Sequence, residues 1–237
     1  MEGYIKSGSA NIYYEMFGEN NKEVVILLHG NGESGRSFKK LIPLLADTYR
    51  VITVDSRGHG KSDFGGNQLS IGTMAVDLVN VIEALGLESV NLVGFSDGAN
   101  VSMLTAIKNS ELINKVILVS GNYNFWGIKP VSGLMIAVGY YCSLLGGFVD
   151  SRNRLNKEYF SLMFKEPNIK REALGYIKSP TLVINGNKDM IKISHAKKIA
   201  KTIVNSQLKI VDGDHFWIYR KPEEASVVIK EFLNDNE

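Results

Sequence analysis

Cysteine is almost missing from this 237-residue sequence, Cys142 being the only one. Neither an internal disulfide nor a thiolate metal cluster is available, so the fold rests on its core, as suits a reducing compartment; a cytoplasmic location is expected. Only five prolines occur, and neither a Pro/Ser-rich linker nor a repeat of fixed period is present. Excess charge is lacking too. With 27 Lys+Arg against 25 Asp+Glu the formal net charge is +2, and no long-range field exists to gather nucleic acid or an anionic membrane. The N-terminal MEGYIKSGSANIYYEMFG alternates polar and apolar residues without a continuous apolar run, and does not read as a signal peptide.

What is present is a repeated rhythm. Apolar, β-branched runs at Val24 to Leu28, Val51 to Val54, Val90 to Val93, Val116 to Val119, Thr181 to Ile184 and Leu208 to Val211 read as buried strands. Between them, Phe38 to Ala46, Ile71 to Leu85, Asn100 to Lys108, Ser194 to Val204 and Glu223 to Leu233 carry apolar residues at three- and four-residue spacing, the pattern of helices covering a sheet. Strand–helix alternation implies an α/β fold with a mostly parallel sheet and helices on both faces. Tyr4 to Lys6 and Asn11 to Phe17, flanking Ser7-Gly8-Ser9, predict an antiparallel hairpin at the sheet edge.

About sixty residues separate the strands ending at Val119 and starting at Thr181, far more than a crossover helix needs. Asn122 to Gly175 is therefore expected to form a small helical cap over the carboxyl ends of the strands, where open sheets bind ligands. Its Pro130 to Val149 stretch has no charged residue and is about as long as a spanning helix. Its glycines and both flanking strands argue instead for cap helices, with no stable membrane insertion.

Chemistry concentrates in VNLVGFSDGAN, where Gly94-x-Ser96-x-Gly98 sits between a predicted strand and a predicted helix. A serine in so sharp a turn is strained and exposed, and the flanking glycines remove side chains that would collide. The N–H of Asp97 then points at an oxyanion formed when Ser96 attacks a carbonyl. Such a nucleophile needs a base. Of four histidines, His215 follows the last strand and returns to the edge that carries Ser96. Asp189, in the loop after the preceding strand, is the orienting acid, and the chain order is nucleophile, acid, base. In LLHGNGES, glycines flank Asn31, whose N–H is the second oxyanion donor, while His29 braces that loop.

HGNG, DSRGHGKS (Asp55 to Ser62), GFSDG, NGNKDM and GDH together resemble the α/β-hydrolase superfamily over nearly the whole chain. The resemblance implies an eight-stranded sheet with a nucleophile elbow, a cap between strands six and seven, and no cofactor. It assigns Ser96, Asp189 and His215 to the triad, Asn31 and Asp97 to the oxyanion hole, and Arg57 to Gly60 to a structural turn. Residues 1–237 are then one catalytic domain with the cap at 122–175.

The expected activity is a metal-free serine hydrolase acting on esters or thioesters through an acyl-enzyme. Phe95, Trp126, Tyr140, Met190, Phe216 and Trp217 are the expected pocket, suited to a small apolar acyl or aryl substrate. The same machinery serves a carbon–carbon bond, lactone or amide hydrolase, a lipid-surface lysophospholipase, or a ligand sensor on a hydrolase shell. A small molecule is the expected partner, and the chain a monomer or homodimer.

Overall fold

The structure, a computed structural model, describes residues 1–66, 68–146 and 151–235. Eight strands form one sheet in the order β1-β2-β4-β3-β5-β6-β7-β8: β1 (Glu2–Ser7), β2 (Ala10–Phe17), β3 (Val24–Leu28), β4 (Arg50–Val54), β5 (Val90–Phe95), β6 (Ile113–Val119), β7 (Thr181–Gly186) and β8 (Ser206–Val211). The sheet is mixed. β2 runs antiparallel to β1 and β4, and every other pairing is parallel. The edge hairpin closes through Gly8 and Ser9, with Ser7 opposite Ala10 and Gly8 at φ +55°, a value glycine adopts freely.

Every residue of β3, β5 and β7 is buried, which explains their unbroken apolar composition: helices cover both faces. On one face Ile26, Leu28, Ile52 and Leu92 pack with α2 (Ile71–Ala84), α3 (Asp97–Lys108) and α6 (Ile193–Thr202). On the other, Val25, Leu27, Val51 and Val93 pack with α1 (Ile42–Leu45), α7 (Trp217–Arg220) and α8 (Pro222–Asn234). Alternate side chains of one strand thus serve two cores. The helix expected over Phe38 to Ala46 is a 3-10 turn, Gly35–Phe38, followed by the single-turn α1, with Pro43 in its first turn; proline's missing N–H is tolerated there but not further inside a helix.

Between β6 and β7, which are neighbours in the sheet, the chain inserts a 3-10 turn (Phe125–Gly127), α4 (Pro130–Gly146), α5 (Ser151–Lys165) and a 3-10 segment (Arg171–Tyr176). Residues 147–150 of the expected cap lie outside the described residues. Ile128 and Ile191 form an antiparallel bridge, and Lys129 N–H donates to Met190 O at 2.8 Å. This insertion is thereby tied to the loop that follows β7. No described helix is long and apolar enough to cross a membrane.

Candidate active site

β5 ends at Phe95 and α3 begins at Asp97, which leaves Ser96 alone in the bend at φ +53°, ψ −117°. A non-glycine residue there is strained by roughly 1–3 kcal/mol, and surrounding bonds must hold it. They do: Ser96 N–H donates to Val119 O at 2.9 Å, and Ser96 O accepts from the N–H groups of Ala99 and Asn100. A Cβ on Gly94 would strike the carbonyl of Gly98, and one on Gly98 the carbonyl of Leu28. Both glycines are fixed by close backbone approach.

His215 Nε2 lies 3.1 Å from Ser96 Oγ, and His215 Nδ1 lies 2.7 Å from Asp189 Oδ1. The three side chains come from the elbow, the β7 loop and the β8 loop, so parallel strands deliver them to one edge of the sheet. Asp189 is wholly buried, which opposes its ionisation. Hydrogen bonds from His215, the Ile191 N–H (2.9 Å) and Ser120 Oγ outweigh burial and hold the carboxyl below its ordinary range. Sequence reasoning missed Ser120. This residue, also at positive φ (+56°), sits just after β6 and is buried; nothing local in Ser120-Gly121-Asn122 signals its partner across the sheet.

Asn31 and Asp97 line the same cavity as Ser96. Their side chains are joined, Asn31 Nδ2 donating to Asp97 Oδ2 at 3.0 Å and also to Tyr159 O of α5 at 3.0 Å. Asn100 Nδ2 donates to the other Asp97 oxygen at 3.1 Å. Burial pushes the Asp97 carboxyl up to about 6 against these donors, and Glu166 adds to the rise. Glu33 is likewise raised by burial, though it accepts from Tyr219 Oη (2.6 Å) and Gly30 N–H (3.0 Å).

The cavity measures about 140 Å³. Of the expected pocket residues, Phe95, Met190 and Phe216 line it, while Trp126, Tyr140 and Trp217 do not. Trp126 is 79% exposed. Tyr140 turns into the cap and stacks on Phe164 at 5.0 Å, and Trp217 is buried in the core beneath the sheet, against Gly213. Ile128, Ile136 and Met163 supply the apolar roof in their place, and Glu33, Asp97 and Glu166 the charged lining. The helical spacing of α4 marks Ile136 and Tyr140 equally as inward; only packing decides which of them reaches the cavity.

The other histidines take structural places. His29 Nε2 accepts from Ser56 N–H at 3.0 Å while Nδ1–H donates to Gly30 O, which braces the loop that carries Asn31. His59 Nδ1–H donates to Arg57 O. His195, in the first turn of α6, is buried and stacks on Tyr123 at 4.0 Å. Among the described residues no group of three or more His, Cys, Asp or Glu is placed to hold a metal ion.

A strand-to-helix elbow with a buried acid–histidine pair on an eight-stranded sheet defines the architecture of an α/β hydrolase. Residues 23–141 match the family model described as alpha/beta hydrolase fold, and the chain belongs to that family. It is 32% identical to the uncharacterized hydrolase YugF of Bacillus subtilis (strain 168), with 94% of each chain covered. It is 29% identical to a putative non-heme chloroperoxidase of Synechocystis sp., with 98% of each covered. In three dimensions it resembles a hydrolase from Pseudomonas aeruginosa PA01, with TM-score 0.83, 20% identity and 98% of each chain covered.

Proposed function

We propose that this α/β-fold protein is a serine hydrolase that cleaves esters or thioesters of small apolar acyl or aryl groups. The observation that carries the reading is the continuous chain from Ser96 through His215 to Asp189, at 3.1 and 2.7 Å, opening on a cavity roofed by the cap. Ser96 Oγ attacks the carbonyl carbon as its proton passes to His215 Nε2, and Asp189 stabilises the imidazolium. The N–H groups of Asn31 and Asp97 take the developing oxyanion. His215 returns the proton to the leaving alcohol or thiol; it then activates a water that releases the acid from the acyl-enzyme.

Charge narrows the substrate. Among the described residues the cavity presents Glu33, Asp97 and Glu166 but neither lysine nor arginine, so a free carboxylate on the acyl group meets repulsion without a counter-charge. This favours neutral or cationic esters over esters that carry a free carboxylate. Ser96→Ala is expected to lower turnover of a short p-nitrophenyl ester by roughly a million-fold and to end labelling by a fluorophosphonate. Continued labelling at another serine would overturn the assignment, and faster turnover of a carboxylate-bearing ester than of its neutral isostere would overturn the charge argument.

A further inference from the structure

Helix α4 has no charged residue, yet only part of it is covered. Ile136 and Tyr140 turn inward and are buried, whereas Val131, Leu134, Met135, Val138 and Tyr141 are between 53% and 74% exposed. At about 100° per residue these five fall within one arc of roughly 120°, and Cys142 lies on the same arc and is exposed. A helix without charged residues is normally covered on most of its surface, and contiguous exposed apolar patches mark contact surfaces.

The flanks say what covers it. Lys129 precedes α4, which itself has no charged residue. On the adjoining α5 the described cations are Lys157, half-buried, and Lys165, exposed, against a single acid, Glu158. That acid is buried and accepts from Leu69 N–H at 3.0 Å, and Glu166 just beyond α5 accepts from Ile71 N–H at 2.6 Å. Both carboxylates are thus spent inward, which leaves Lys129, Lys157 and Lys165 as the remaining charges of α4, α5 and their flanks among the described side chains. A second copy is a poor occupant, since a twofold interface would set the basic flanks against each other. An anionic bilayer surface matches both features: its acyl boundary takes the apolar arc and its headgroups take the lysines.

We propose that the outward face of α4, with the neighbouring lysines Lys129, Lys157 and Lys165, docks on anionic lipid surfaces without spanning the bilayer. Neither the triad nor the substrate is invoked, so this docking stands or falls apart from the proposed hydrolysis.

Flotation of the full chain with phosphatidylcholine vesicles, with and without phosphatidylglycerol, tests it directly. The protein is expected to float with the phosphatidylglycerol vesicles, less so as salt rises, and a polarity-sensitive fluorophore on Cys142 to report transfer to an apolar medium. Leu134→Ser/Val138→Ser, both at exposed positions, is expected to cut vesicle partition at least tenfold with an unchanged melting temperature and unchanged turnover of a water-soluble ester. Equal flotation with both vesicle types, absence of flotation, or a dimer that the double variant splits into monomers would each overturn the proposal. Flotation by a Ser96→Ala variant would uphold it whatever becomes of the esterase reading.

Discussion

Two serines occupy backbone conformations that glycine would adopt more easily, Ser96 at φ +53° and Ser120 at φ +56°. At Ser96 the proposed nucleophilic role accounts for it, since the strained bend sets the hydroxyl 3.1 Å from His215 Nε2. At Ser120 it is the hydroxyl that donates to Asp189 inside the sheet, a charge-assisted bond worth about 1.5–3 kcal/mol. Ser120→Ala is expected to destabilise the fold by about that amount in urea denaturation near neutral pH. Ser120→Gly should cost about 1 kcal/mol less, because the left-handed strain of roughly that size disappears with the side chain; equal losses would show that the strain is not there. Ser96 could be found from its glycine spacing and context, and His215 and Asp189 from chain order. Ser120 and Glu33 could not, because their partners Asp189 and Tyr219 lie 69 and 186 residues away.

Among the elements, the edge hairpin, the β4 loop and α2 meet at a buried ion pair. Arg57 Nη2 and Nε reach Asp77 Oδ1 and Oδ2 at 2.6 and 2.8 Å, and Arg57 Nη2 also donates to Ser7 O at 3.1 Å. The superfamily resemblance marks Arg57 to Gly60 as a structural turn, but the partner on α2 is unreadable from sequence. Asp77→Ala leaves a guanidinium buried and unpaired, for which about 3–5 kcal/mol of lost stability is expected, measurable as a shifted urea midpoint. Interchange of ester substrates should be untouched if the pair serves only the fold. Helix α4 teaches the converse lesson. Its lack of charge was plain in the sequence, but a stretch without charge on any side does not say which face is inward. That was decided by α5 and by the Ile128–Ile191 bridge packing against one side.

The whole molecule carries three buried neutral histidines. Burial lowers His29, His59 and His195 to about 4, below the ordinary value of about 6.5. Unfolding therefore takes up protons: the stability these residues contribute is complete above about pH 6.5 and is lost as pH falls through about 4. Asp97, raised to about 6, and Glu33, also raised, act in the opposite sense over an overlapping window, but against three histidines they leave the melting temperature falling with acidification. Calorimetry between pH 7 and 4 should show that fall, and His195→Gln, which still offers an acceptor to Tyr123 N–H, should make it shallower. An unchanged slope would remove His195 from the account.

At the same scale the near-zero net charge gains meaning, since balanced totals conceal a cavity whose described lining holds Glu33, Asp97 and Glu166 but neither lysine nor arginine. Sequence by itself determined the alternation of buried strands and covering helices, because burial on both faces demands unbroken apolar runs and helices a repeating apolar stripe. It also determined the elbow, because only glycines fit its close backbone approaches. Tertiary structure alone decided which side chains surround Ser96. Ile128, Ile136, Met163, Glu33 and Glu166 come from segments whose local patterns say only inward or outward, and the cavity they share exists only once the sheet and cap have packed.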